Sequence, residues 1–290
     1  MTHRVSIPTR NLNGGIAQIE GLLRGLRDEW LNADAIVLDF TRCDFITAEA
    51  IAMLSALKLN RSSLSLACDV DWATVKPDVR KQLGRWDWTN LFDVAGHRWA
   101  DNAIPLLHQR SLAATALEKY VSDWALTRMP AMTAALAKET RRSLCELFTN
   151  IFQHAGSSFG GIAIGQYYPN IKQVQICVCD GGIGMVRRIQ EAGYANTSGP
   201  AAIQWALELG HSTRGDEGCP GGLGLFLLRD FVKLNGGSFR IYANAGYFEE
   251  RAGKPLGQEL SASFPGTLID LRLCLRDDVV YCLSSELTRC

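Results

Sequence analysis

Apolar and polar positions divide the chain into helix-like and strand-like segments. Val5-Ser-Ile7 predicts an edge strand. Between Ile16 and Leu31, apolar residues at 16, 19, 22, 23, 26 and 30 fall near helical spacing. Ala35-Ile-Val-Leu-Asp-Phe40 is a continuous apolar run that suits a buried strand. Thr47–Leu59 reads as an Ala- and Leu-rich helix, Ser63–Cys68 alternates like a strand, and Val75–Leu83 is a weaker helix. This β-α-β-α pattern predicts a small α/β domain around one sheet. Residues 96–138 read as a connector, with helices over Ser111–Arg128 and Ala131–Ala137. Pro130 either separates them or opens the second.

The second half has a different rhythm. A long helix runs from about Glu139 to His154, followed by strands at Phe159–Tyr168 and Val174–Asp180. A Gly-rich turn leads into a short helix over Met185–Ala192. Residues 193–222, rich in Gly, Ser, Thr and Pro, read as a long mobile loop around one helix, Ala201–Leu209. Leu223–Leu234 predicts a helix; Ser238–Ala243 and Gly266–Leu275 predict strands joined by a hairpin. Helices and strands do not strictly alternate here, which predicts an α+β unit with a mixed or antiparallel sheet.

Composition bounds the rest. A length of 290 residues points to two domains. With 47% apolar and 21% charged residues the chain is of globular type, and thirty basic residues balance thirty acidic ones. Zero net charge gives no global electrostatic reason for a nucleic-acid or anionic-membrane partner. No apolar run is long enough to span a bilayer, and the first residues lack a signal-like apolar stretch, so a cytoplasmic placement is expected. Nine cysteines without a C-x-x-C pair read as buried thiols, Cys177 and Cys179 sharing one face of a strand. Trp86-Asp-Trp88 and Leu91-Phe92 read as packing between domains.

Four motifs carry candidate chemistry. Glu146-Leu-Phe-Thr-Asn150-Ile-Phe-Gln-His154 places a carboxylate, a carboxamide and an imidazole on one helix face. The amide oxygen suits Mg²⁺, and the carboxylate can orient or deprotonate a nucleophile. In Val178-Cys-Asp180-Gly-Gly182-Ile-Gly184 a strand ends in an acid and glycines that let a ligand approach the backbone. Ser212-Thr213-Arg214 and Pro220-Gly221-Gly222-Leu223-Gly224 run into a helix, an arrangement that offers N–H groups and a cation to phosphate. It lacks the Gly-Lys-Ser/Thr of a Walker loop. Last, Gly266-Thr267 opens an apolar strand.

Together and in this order, these motifs resemble the ATP-binding domain of DNA gyrase, histidine kinases and MutL, the GHKL superfamily with the Bergerat fold. The resemblance covers about residues 139–275. It implies ATP and Mg²⁺ as ligands. Asn150 would hold Mg²⁺, Glu146 would be the general base, and His154 would lie on the phosphate side. Asp180 would read the adenine amine, with Thr267 behind it and Gly182 and Gly184 shaping the pocket floor. Ser212, Thr213, Arg214, Gly221, Gly222, Leu223 and Gly224 would close over the phosphates, and residues 185–221 would form a lid.

The pattern Glu-x-x-Thr-Asn-x-x-x-His looks most like the anti-sigma-factor serine kinases. No histidine precedes an acid, as a self-phosphorylating kinase would require; the five precede Arg4, Arg98, Gln109, Ala155 and Ser212. About fifteen residues follow the last predicted strand, too few for the Lys-bearing domain of the gyrase and MutL branches, so rapid ATPase activity is not expected. Ala35–Leu54 resembles the strand–turn–helix of STAS domains, the fold of anti-sigma-factor antagonists. Glu49 falls where that family places its phosphate-accepting hydroxyl. It can imitate the phosphorylated state, or simply favour a helix N-terminus; Thr47 and Ser55 are the nearby hydroxyls.

The expected organisation is therefore a STAS-like domain over 1–95, a helical connector over 96–138, a GHKL domain over 139–278 and a tail over 279–290. The function this implies is an ATP-dependent regulatory switch with slow hydrolysis, its lid acting on a protein partner. The alternatives are a serine/threonine kinase acting on a separate STAS protein and a non-catalytic ATP sensor. GHKL modules often dimerise, so a homodimer is among the expected assemblies.

Overall fold

The computed structural model describes residues 2–9, 16–26, 29–95, 102–193, 198–208 and 223–287. Its first part contains β1 (Thr2–Ser6), α1 (Ile16–Leu26), α2 (Glu29–Asn32), β2 (Ala35–Asp39), α3 (Ala48–Ser63), β3 (Ala67–Val70) and α4 (Pro77–Arg85). The second contains β4 (Ala103–Gln109), α5 (Ala114–Tyr120), α6 (Ala134–Asn150), β5 (Gly161–Tyr168) and β6 (Gln173–Asp180). It ends with α7 (Met185–Glu191), α8 (Gly199–Ala206), α9 (Leu223–Asn235), β7 (Ser238–Arg251), β8 (Lys254–Cys274) and α10 (Ser284–Leu287). Among the described residues no helix is long and apolar enough to cross a membrane.

The described residues are mixed α/β, with two sheets. One is parallel, three-stranded and ordered β1-β2-β3; the other is antiparallel, five-stranded and ordered β4-β5-β6-β8-β7. Local patterning accounts for much of this. The apolar positions Ile19, Leu22, Leu23 and Leu26 are the buried face of α1, as their spacing predicts. Thr47 caps α3 by accepting a hydrogen bond from the Ala50 N–H at 3.3 Å.

Three local expectations are corrected. The strand expected over Ser63–Cys68 starts only at Ala67, and α3 continues to Ser63. Arg61 fixes that end: it is buried, and its guanidinium donates to the carbonyls of Trp30, Ala33 and Ala67. Leu64, whose alternation with Leu66 mimics a strand, is 51% exposed. The connector over 96–138 is not only helical, because β4 pairs antiparallel with β5. Pro105 disguises it, and the strand tolerates Pro because it lies at the sheet edge, beside a register shift between Ile104 and Leu107. Finally, the segment Ala131–Ala137 is no separate helix. Thr133 caps a single α6 that starts at Ala134 and runs through the length expected from Glu139.

The five-stranded sheet is buried on both faces. Ala163, Ile176, Val178, Ile241, Ile269 and Leu271 pack with the helical layer of α6, α8 and α9. Ile162, Ile164, Cys177, Cys179, Tyr242 and Leu268 belong to one core with the three-stranded sheet. The period of two along each strand produces this division. Helix α3 lies between the sheets, touching β3 on one side and β5, β6 and β8 on the other, which is why most of its sixteen residues are buried. Cys177 and Cys179 are free and buried, as their alternation predicts, and burial pushes both thiols well above their ordinary range.

Of the Trp pair, Trp86 reaches the second half, whereas the ring neighbours of Trp88 are Phe40, Trp72 and Phe92 of the first. Both indoles are fully buried, and the Trp88 and Phe92 ring centroids lie 4.7 Å apart, tilted. The Trp86 N–H donates to the Gly165 carbonyl of β5 at 2.7 Å, while its own carbonyl accepts from Leu106 of β4. Trp86→Phe keeps most of the apolar contact but leaves the Gly165 carbonyl without this donor. We expect a loss of about 1–3 kcal/mol in denaturant unfolding; an unchanged midpoint would mean the bond contributes nothing net.

A charged cluster is buried in the same interface. Glu49 of α3 is 1% exposed and Asp270 of β8 is 0% exposed. Arg272 contacts both, through its NH2 group to Glu49 and through Nε to Asp270 at 3.0 Å. Arg240 lies 3.7 Å from Glu49 and 3.5 Å from Asp270, and its Nε pairs with Glu249 at 2.8 Å. The Gln175 amide donates to Glu49 at 2.8 Å and to Asp270 at 2.7 Å. Burial pushes Glu49 up to about 7 even though Arg272 opposes it. Burial also acts on Asp270, but the two arginines outweigh it and hold that carboxyl below its ordinary range.

Candidate functional site

The candidate site lies at one end of the five-stranded sheet, where β6 stops. Asp180 is its last residue and is 4% exposed. Its Oδ1 accepts from the Gly182 N–H at 2.8 Å, and the Thr267 backbone N–H also supports the carboxylate. Burial nevertheless dominates and raises the carboxyl to about 6. A buried acid with two backbone donors retains acceptor capacity for a ligand N–H group.

Glycine is required at two places here. At Gly182 a Cβ would lie 2.0 Å from the Ala155 carbonyl oxygen. At Gly266, with φ of +132°, it would lie 2.2 Å from the Asp180 carbonyl oxygen. These approaches draw the helix end and both strands onto one loop. The Ile183 N–H donates to Ala155 at 2.8 Å, and the Thr267 hydroxyl accepts from the Met185 N–H at 2.9 Å, where α7 begins. Asp180, Gly182, Gly184 and Thr267 are therefore brought together, though Thr267 stands 87 positions after Asp180 in the chain.

Helix α6 delivers the other group. Leu144, Leu147, Phe148 and Ile151 are its buried side, which leaves Glu146 and Asn150 half-buried one turn apart. Among the described residues neither side chain has a hydrogen-bond or ion-pair partner. After Asn150 the helix widens into a π turn over Ile151–Ala155, whose last residue is the one that meets Ile183. π turns within helices are frequent at functional sites. The side chain of His154 lies outside the described residues, as do Ser212, Thr213, Arg214, Gly221 and Gly222. Leu223 and Gly224 open α9, and their side-chain surroundings also lie outside them.

Asn244 is a residue of the site that escaped sequence reading. Asn244 of β7 adopts φ of +51°, and its side-chain Oδ1 accepts from the Arg187 N–H at 3.0 Å. Its Nδ2 donates to the Ile183 carbonyl at 2.9 Å. It thus ties the Gly-rich turn to the start of α7, and a Cβ on Gly184 would lie 2.4 Å from its Oδ1. The local signal is an Asn in Asn-Ala-Gly246, a type that tolerates left-handed backbone. Nothing local reveals that it faces a loop some sixty residues earlier.

The hydroxyls near the expected acceptor position are interior. Thr47 is buried and its hydroxyl bonds Gln18, while the buried Ser55 donates to the Ile51 carbonyl at 2.6 Å. Glu49 is sealed among arginines. No protein-family model matches this chain, and no curated protein sequence matches it.

Proposed function

We propose that this protein binds ATP with Mg²⁺ in a GHKL-type site and hydrolyses it slowly, as a nucleotide-dependent switch acting on a protein partner. One observation carries the reading. Three motifs far apart in sequence converge on one loop, around a buried carboxylate with spare acceptor capacity. Asp180 accepts the exocyclic amine of adenine, a contact that discriminates because an unmatched buried acceptor is costly. Gly182 and Gly184 let the loop close onto Ala155 and Asn244, which shapes the floor beneath the base. The half-buried amide of Asn150 fits a Mg²⁺ accompanying the phosphates, since that ion takes few protein oxygens and keeps water and phosphate as its other ligands. When bound, the ion neutralises charge on the phosphates.

Glu146, one turn before Asn150, accepts a proton from the attacking water. The water oxygen forms a bond to the γ-phosphorus, the bridging P–O bond breaks, and the electron pair leaves on ADP. The span 185–221 is the expected lid; within it α7 and α8 are described, and a nucleotide-dependent shift of these helices changes the surface offered to a partner. The buried Thr47, Glu49 and Ser55 support a partner in trans rather than phosphorylation of this chain at that corner.

The test follows γ-labelled ATP with Mg²⁺ in wild type, Asp180→Asn and Glu146→Ala. Asp180→Asn should weaken binding about tenfold or more, the scale of one hydrogen bond to a charged group. Glu146→Ala should bind as wild type and release no labelled phosphate. Equal affinity in wild type and Asp180→Asn overturns the site. Label carried by an added STAS protein replaces hydrolysis with phosphotransfer. Acid sensitivity is a further expected result. The carboxylate form accepts the amine, so affinity should be full above pH about 6 and decline as pH falls through that value.

A further inference from the structure

The peptide unit between Gly181 and Gly182 is held at both ends. Its N–H donates to Asp180 Oδ1 at 2.8 Å. Its carbonyl, on Gly181, accepts from Asn60 Nδ2 at 3.3 Å. Asn60 belongs to the last turn of α3 and is 8% exposed. Its Oδ1 is buried with no hydrogen-bond partner. An unsatisfied amide oxygen in the interior is a cost, so the stability of the fold does not explain the side chain. The reverse amide orientation would set two oxygens against each other at Gly181, so the donor faces the loop. The same end of α3 is tied to the turn before β5, where the Ser63 and Ser158 hydroxyls lie 2.7 Å apart.

We propose that Asn60 is a positioning residue for Asp180, supplied to the candidate site by the first half of the chain. Glycine on both sides of the peptide gives it unusual freedom to rotate. Asn60 fixes the carbonyl, which points the opposite N–H at the carboxylate and polarises it. Without Asn60 the peptide can turn, and Asp180 loses one of its two backbone donors. The acid is then harder to ionise, because burial is opposed by less hydrogen bonding. Among the described residues, the groups that act on it are the N–H groups of Gly182 and Thr267 and the neutral thiol of Cys179. The first half of the molecule thereby sets the charge state of the acid on which recognition depends, which rests on the nucleotide reading for its meaning but not for its test.

The test is a carboxyl-carbon NMR titration of the unliganded protein, with the Asp180 signal identified by its loss in Asp180→Asn. Asn60→Leu keeps the size of the side chain and removes the donor; Asn60→Ala is the second variant should the first fold poorly. The wild-type midpoint should lie at about 6, and both variants should move it upward by roughly the tenfold in proton affinity that one lost hydrogen bond to the carboxylate is worth. ATP·Mg²⁺ titrations give the functional readout: Asn60→Leu should bind about threefold more weakly at pH 6.5 and equal wild type at pH about 8.5. A lower melting temperature with an unmoved Asp180 midpoint would mean a purely structural role and overturns the proposal. If wild type binds no ATP, the nucleotide reading fails, while the NMR midpoints still decide the role of Asn60.

Discussion

Glu49→Ala should destabilise the protein by about 2–3 kcal/mol. The substitution removes the acid that accepts from Gln175 and Arg272 and empties the space it filled. Both arginines are held between β7, β8 and α3, with little access to water that could replace the lost partner. Glu49→Gln should cost far less near neutral pH, because it keeps the shape and resembles the protonated acid. The pH dependence has a definite sign. The folded-state value, about 7, stands above the ordinary 4.5, so the folded protein binds this proton more readily than the unfolded chain. The contribution of Glu49 is therefore greatest below pH about 4.5 and is lost as pH rises through about 7. Denaturant unfolding at pH 5.5 and 7.5 reads both effects: the Glu49→Ala deficit should be larger at the lower pH, and Glu49→Gln should flatten the profile. A Glu49→Ala protein within about 0.5 kcal/mol of wild type would mean that the cluster relaxes by admitting water.

This cluster shows why local reading stops where it does. At the sequence level Glu49 is an acid in the first turn of a helix, and such residues are favoured there by the dipole. Its actual partners, Gln175 and Arg272, are 126 and 223 positions away. No periodicity encodes that pairing. Elements set by short-range pattern were legible: the spacing in α1, the apolar run of β2 and the acid-then-glycine end of β6 fall where patterning places them, whereas β7 and β8 run on past the expected Ala243 and Gly266 to meet at Arg251 and Lys254. β4 was hidden by Pro105, whose acceptability depends on the strand lying at an edge. The end of α3 was hidden because it is held by Arg61 reaching three distant carbonyls. In the site, Asp180, Gly182, Gly184 and Thr267 were legible as types at spacings. Asn60 and Asn244 were not, since each acts on the loop through a contact made only in three dimensions.

Gly182→Ala should damage the candidate site severely. Its added carbon would stand 2.0 Å from the Ala155 carbonyl oxygen and 2.5 Å from the carbonyl carbon. Both are backbone atoms, so no side-chain rotamer can relieve the overlap. Either the π turn or the Gly-rich loop must move, and the 2.8 Å bond from Ile183 to Ala155 lies directly in the path. The Gly182 N–H that holds Asp180 moves with the loop. Overpacking of this kind costs about 1–3 kcal/mol or more, and ligand affinity should fall further than stability because the carboxylate loses its alignment. Gly156→Ala is the matched comparison. It lies one residue beyond the same turn, with φ of +61° and nothing within 4 Å of the added carbon. It carries only the left-handed backbone penalty of about 1–2 kcal/mol, and should leave binding unchanged. Calorimetric titration and denaturant unfolding of the two variants together separate steric intrusion from backbone preference. Equal losses in both would place the sensitivity in backbone conformation and remove the close approach of helix and loop as an organising feature of the site.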